Sequence, residues 1–158
     1  MSERAYVGLG ANLGADLLAT LSRAAAALDA LPQTRIAVLS SAWRSAPVDA
    51  GGPDFLNAVA ALDTGLAPLA LLDALQAIEA VHGRERPYRN APRTLDLDLL
   101  LHGDTRLDTP RLVLPHPRMQ QRAFVLRPLL EIAPELADLA GPGDWQSQRI
   151  ERQDAIPF

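Results

Sequence analysis

The sequence predicts an α+β sandwich, a mainly antiparallel sheet with helices packed on one face, and within that class the split-βαβ, ferredoxin-like arrangement. Three observations predict it. Apolar residues alternate at period two in some runs and recur every three to four residues in others, so strands and helices both occur. Their order is strand, helix, strand, loop, strand, helix, loop, strand, which mixes hairpin-like and crossover connections. The chain of 158 residues is the size of one domain, able to bury roughly 70% of its unfolded surface, so a single domain over 1–158 is expected.

Ala5 to Gly10 reads as a buried strand closed by glycine, with Gly8, Gly10 and Gly14 making a tight turn into a helix. That helix carries Leu17, Leu21, Ala24, Leu28 and Leu31 at helical spacing. Ile36 to Arg44 is a second strand, and the prolines and glycines of Ser45 to Pro53 mark a loop. Phe55 to Thr64 is extended. Pro68 suits the first turn of a helix running to about His82, with Leu71, Leu75 and Ile78 on one stripe and Gln76 and Glu79 on a flank. Gly83 to Pro92 holds four charges, two prolines and no periodicity, and reads as a mobile loop. In the strand Thr94 to His102, Leu95, Leu97, Leu99 and Leu101 share one face, while Asp96, Asp98 and Leu100 share the other. Phe124 to Glu131 is helical and ends near Pro134; the last fifteen residues are weakly patterned, and no internal repeat is present.

Composition excludes several chemistries. With no cysteine there is no disulfide, thiolate metal site or cysteine nucleophile, and with no lysine there is neither a P-loop lysine nor a Schiff base. The glycines near the start lack the spacing of the dinucleotide fingerprint, and no serine sits in a nucleophile elbow. The N-terminus lacks the pattern of a signal peptide, and charge or proline interrupts each apolar run short of the ~20 residues a membrane span requires, so a soluble cytoplasmic protein is expected. A net charge of −4 argues against general nucleic-acid binding. The charge is unevenly distributed: nine of the fifteen arginines lie between Arg84 and Arg127 against five acids, leaving that segment at +4 and the rest at −8.

Within the positive segment, Asp96 and Asp98 project from one strand face roughly 6–7 Å apart, given a rise of ~3.3 Å per residue. Such a pair suits magnesium, which takes one or two carboxylates and completes its shell with water and substrate phosphates; it equally suits a half-solvated strand face. Arg84, Arg86, Arg89 and Arg93 precede it in the loop and strand entry, where guanidinium forks can close over phosphates. As a surface charge run the same loop needs no ligand. His116 lies between two prolines, close to Arg118 and Arg122, and can donate to a phosphate or serve structure alone. His82 and His102 lack metal-ligand spacing and belong to element ends.

The string Arg89-Asn-Ala-Pro-Arg93-Thr-Leu-Asp96-Leu-Asp98-Leu-Leu100 resembles the signature of the 6-hydroxymethyl-7,8-dihydropterin pyrophosphokinases. The similarity extends, in order, through Gly8 to Gly14, Ser45-Ala-Pro47, Asp54-Phe-Leu-Asn57, Leu114-Pro-His116-Pro-Arg-Met119 and Arg122-Ala-Phe124. The resemblance implies diphosphate transfer from ATP to the pterin alcohol, with AMP released, in folate biosynthesis. It implies that Asp96 and Asp98 hold two Mg2+ ions and, with Arg84 and Arg93, form the catalytic set. It implies a pterin site of Ser45, Pro47, Val48, Phe55, Asn57 and Phe124, the two phenylalanines enclosing the ring and Asn57 offering donor and acceptor to its edge. It implies an ATP site of Gln76, Glu79, Arg84, Arg86, Arg93, Arg111, His116 and Arg122. A monomer with small-molecule substrates, and no nucleic-acid or membrane partner, goes with it. The chain departs from the family pattern at Asn90, Ala91 and Phe55 and in a loop shorter by a residue, which leaves the choice between Arg84 and Arg86 open. Two other classes also fit the residues: a ferredoxin-like RNA-binding module using the positive segment, which requires exposed aromatics on the sheet, and a metal-dependent nucleotidyl transferase with another acceptor.

Overall fold

The computed structural model describes residues 2–12, 16–46, 54–82, 95–140 and 145–158. The elements are β1 (Glu3–Ala11), α1 (Leu17–Asp29), β2 (Thr34–Leu39), β3 (Trp43–Ser45), β4 (Phe55–Thr64), α2 (Pro68–His82), β5 (Asp96–His102), β6 (Leu107–Asp108), β7 (Val113–Leu114), α3 (Ala123–Ile132) and β8 (Ile150–Arg152), with short 3-10 turns at Met119–Gln121, Pro134–Leu139 and Trp145–Ser147. A six-stranded sheet runs β5-β1-β4-β3-β8, with β2 also on β4, and its pairings are antiparallel. Taking β2 and β3 as one broken strand, the order is that of the expected ferredoxin-like sandwich.

The long central strand β4 decides how the sheet is covered. Leu56 through Ala61 are all buried, so both faces of the strand are roofed. On one face Val7, Leu9, Leu62, Leu97 and Leu99 meet Leu21, Leu28, Leu71 and Leu75 of α1 and α2. On the other, Tyr6, Val59, Leu100 and Leu101 meet Val125 and Leu129 of α3. The helices therefore occupy both faces rather than the one that the element order suggests, because α3 returns over the side its predecessors leave bare. Asp16 starts α1 by accepting from the Ala19 N–H at 3.0 Å.

Local chemistry explains the other departures. The strand expected from Ile36 to Arg44 breaks at Ser40, whose hydroxyl takes the Val59 N–H at 2.9 Å in place of a backbone carbonyl. Ser41 then turns its own N–H to the Glu131 carboxylate. In β5 the register shifts against Tyr6 and Val7, so Leu101 joins Leu100 on the α3 face and does not continue the row of Leu97 and Leu99. The weakly patterned tail is also ordered: β8 pairs with β3, and Ile156 enters the main core.

Candidate active site

A cavity of about 400 Å³ opens on the α3 side of the sheet, and strand alternation builds its floor. Ala5, Val7, Leu9 and Ala11 face the main core, so Gly8 and Gly10 face the cavity, within β1 and not in a turn after it. Gly8 lies between Val59 and Asp98, and Gly10 between Asn57 and Asp96. A β-carbon on Gly10 would stand 3.4 Å from the Asn57 side-chain oxygen. The bare backbone of β1 thus separates the two carboxylates of β5 from the amide of β4 and leaves the space between them open. Gly8 and Gly10 were legible as alternate small residues in a strand, but their glycine-rich run reads more readily as a turn.

Two walls rise from this floor. Phe55 and Ser45 form one, at the ends of β4 and β3; Phe124 and Arg122, where α3 begins, form the other. The Arg122 guanidinium lies 5.3 Å from the centre of the Phe124 ring, a cation–π contact. Asn57 is buried, and its NH2 group donates to Ser45 Oγ at 2.7 Å and to the Trp43 carbonyl at 3.3 Å. Both donors are thereby spent within the protein. In this arrangement the Asn57 side-chain oxygen lies on the Gly10 side, towards the cavity.

Asp96 is exposed and Asp98 half-buried, both lining this cavity from alternate positions of one strand. Among the described residues no group of three or more His, Cys, Asp or Glu side chains can hold a metal. Two carboxylates facing a cavity are nevertheless the protein share that Mg2+ takes when phosphates complete its shell, so the donor set fits magnesium. It does not fit a fully protein-ligated zinc.

The remaining expected positions lie along the outer edge of β5. Glu79 accepts the Leu97 N–H at 2.8 Å, capping an edge that would otherwise expose an unpaired donor. Arg111 donates to Gln76 Oε1 at 3.1 Å and to Asp73, bringing β7's approach to the flank of α2. The His116 N–H bonds the Leu100 carbonyl at 3.0 Å, and its Nδ1 accepts from the Arg118 N–H at 3.3 Å. Burial, then the charges of Arg122 and Arg118, lower the His116 pKa against the opposing pull of Asp96. The ring is therefore held neutral, with Nε2–H as its donor.

The structure thus brings Ser45, Phe55, Asn57, Asp96, Asp98, Arg122 and Phe124 to one cavity. It gathers Gln76, Glu79, Arg111 and His116 beside β5, outside the cavity lining. Pro47, Val48, Arg84, Arg86 and Arg93 lie outside the described residues. Among the described residues, Tyr6 is buried beneath α3 and Phe55 stands at the cavity wall, so the two do not form the open aromatic platform that an RNA-binding sheet needs.

Comparison with known proteins identifies the relatives of this chain. The family model described as 7,8-dihydro-6-hydroxymethylpterin-pyrophosphokinase (HPPK) matches residues 6–134. A 2-amino-4-hydroxy-6-hydroxymethyldihydropteridine pyrophosphokinase of Pseudomonas aeruginosa is 54% identical over 137 residues, 86% of this chain and 84% of its own. The Bacillus subtilis protein of the same name is 39% identical over 153 residues, 95% of this chain and 90% of its own. Among solved structures, a Plasmodium falciparum HPPK-DHPS triple mutant aligns at TM-score 0.68 and 14% identity, over 85% of this chain and 40% of its own. The wild-type form aligns at TM-score 0.66 and 15% identity, over 85% of this chain and 38% of its own. At that identity the likeness is one of fold, and the chain spans well under half the length of those structures.

Proposed function

The chain belongs to the 7,8-dihydro-6-hydroxymethylpterin-pyrophosphokinase family, and we propose that its reaction, diphosphate transfer from ATP to 6-hydroxymethyl-7,8-dihydropterin in folate biosynthesis, takes place in the cavity over β1, β4 and β5. The observation that carries this placement is one cavity holding two carboxylates, two phenylalanines and a buried amide. A flat heteroaromatic ring fits between Phe55 and Phe124 by offset stacking. The Asn57 oxygen, oriented by the bonds of its NH2 group to Ser45 and Trp43, accepts an edge N–H of the ring. Ser45, Pro47 and Val48 complete that wall in this reading.

Asp96 and Asp98 hold the two Mg2+ ions, whose chemistry is to neutralise triphosphate charge at the point of transfer. The pterin hydroxyl oxygen forms the new bond to the β-phosphorus as its proton passes to solvent water, the bond from that phosphorus to the α,β-bridging oxygen breaks, and AMP leaves with the electron pair. Arg122 stands at the junction of the ring and phosphate positions, and His116 donates from Nε2–H to the nucleotide. Gln76, Glu79 and Arg111 bind the nucleotide from the β5 edge. Arg84 and Arg93 act on the transferring group, with Arg86 assisting ATP binding.

All 158 residues serve one pyrophosphokinase domain in this reading. A monomer suffices, because one chain supplies both walls and the floor. Among the described residues no helix is long and apolar enough to cross a membrane, and a cysteine-free enzyme of small soluble substrates suits the cytoplasm. The test is incubation with ATP, Mg2+ and the reduced pterin alcohol. AMP and the pterin diphosphate are expected in equal amounts. ADP as the nucleotide product, or free diphosphate with a nucleotidylated acceptor, overturns the reading.

A further inference from the structure

The C-terminal segment from Trp145 to Arg152 touches both walls of the cavity. At one end Trp145 is buried with Ala123 and Leu126 at the start of α3, and Arg127 lies 5.2 Å from its ring centre. At the other end Ile150 pairs with Ser45. Gln148 lies between these anchors and makes two side-chain bonds. Its Oε1 accepts the Ala123 N–H at 2.9 Å, and its Nε2 donates to the Gln121 carbonyl at 2.8 Å.

These two bonds brace the backbone on either side of Arg122. A helix start is ordinarily satisfied by the side chain of its own N-cap residue. Here Arg122 is that residue; it is extended at φ −119°, ψ 113° and makes no side-chain cap bond. Its guanidinium is committed to the cavity, over Phe124. We infer that Gln148 is a positioning residue: by supplying the acceptor for the Ala123 N–H that a donor-only guanidinium lacks, and by holding the Gln121 carbonyl, it fixes the backbone on both sides of Arg122 and sets the angle at which Arg122 and Phe124 enter the site. The position lies beyond the segment 6–134 that the family model matches. The inference rests on the placement of the pterin against Phe124.

The experiment uses the full chain with Gln148→Ala, Gln148→Glu and, as a benchmark, Phe124→Ala. Binding of a reduced-pterin analogue is titrated calorimetrically with Mg2+ and a non-hydrolysable ATP analogue present. Thermal stability and the steady-state kcat and pterin KM accompany it. Gln148→Ala weakens pterin binding roughly 3- to 10-fold, the worth of about one net hydrogen bond, and raises pterin KM with kcat nearly unchanged. Gln148→Glu keeps the acceptor for Ala123 and loses the donor to Gln121, so it falls between the wild type and Gln148→Ala. A lowered Tm with unaltered pterin affinity would reduce Gln148 to a stabilising cap and overturn the inference. If Phe124→Ala also binds normally, the pterin placement itself fails and takes this inference with it. Weakening by Phe124→Ala alone removes only the role of Gln148.

Discussion

Asp96 and Asp98 show how far residue type and spacing reach. Two acids at alternate positions in a leucine-rich strand must share a face, and they do, across the bare backbone of Gly8 and Gly10. Asp96→Asn or Asp98→Asn keeps the side-chain volume and removes the charge. Turnover is expected to fall roughly a thousandfold or more, corresponding to several kcal/mol of lost metal-mediated stabilisation. Circular dichroism and Tm should stay near wild type; substantial turnover in either variant would remove that carboxylate from the reaction. Phe55 and Phe124 are harder to read from sequence, since 69 positions separate them and only the return of α3 brings their rings to one cavity. Residue chemistry alone also does not show the partners of the Asn57 NH2 group, which come from the neighbouring strand.

At the scale of elements, Glu131 ties α3 to β3. Its carboxylate accepts from Trp43 Nε1 at 2.8 Å and from the Ser41 hydroxyl at 2.8 Å, takes the Ser41 N–H as well, and pairs with Arg152 at 3.4 Å. Burial alone would raise its pKa, but the bonds from Trp43 and Ser41 and the charge of Arg152 outweigh it and hold the group below its ordinary value of 4.5. Because the folded pKa is depressed, the carboxylate stabilises the fold above the unfolded pKa, and this contribution is lost as pH falls through the folded value. Glu131→Ala leaves the indole and Ser41 donors without that acceptor. It should cost about 1–3 kcal/mol at neutral pH, which lowers Tm by about 2–12 °C. The Tm difference between wild type and variant should be full at pH 7 and shrink as the pH drops below 4.5. A difference independent of pH would show that packing, and not the ionised carboxylate, supplies the effect. The helices α1 and α2 were legible from apolar periodicity, whereas the break at Ser40 was not, since it depends on a hydroxyl meeting the Val59 N–H across the sheet.

Over the whole molecule, the chain end closes both the sheet and the core. Ala42 and the tail exchange backbone bonds, with Gln153 N–H to Ala42 O at 2.7 Å and Ala42 N–H to Asp154 O at 3.0 Å. Ser22 of α1 donates to the Pro157 carbonyl. Ile156 is 7% exposed within the main core, so Ile156→Ala should cost about 2 kcal/mol, the low end for such truncations because the irregular segment that carries it can settle into the lost volume. Denaturant unfolding measures this directly, and a midpoint equal to wild type would mean that the tail is not docked in solution. Periodicity, turn residues and the spacing of Asp96 and Asp98 were sufficient for the α+β class, the two helices of the first face and the shared face of the two carboxylates, because each depends on residues only a few positions apart. The covering of the second face by α3, the cavity between Phe55 and Phe124, and the joining of Gln148 and Ile150 to its walls were decided by tertiary structure. The bonds of Gln148 and Ile150 join residues from 25 to 105 positions apart, for which no local period exists.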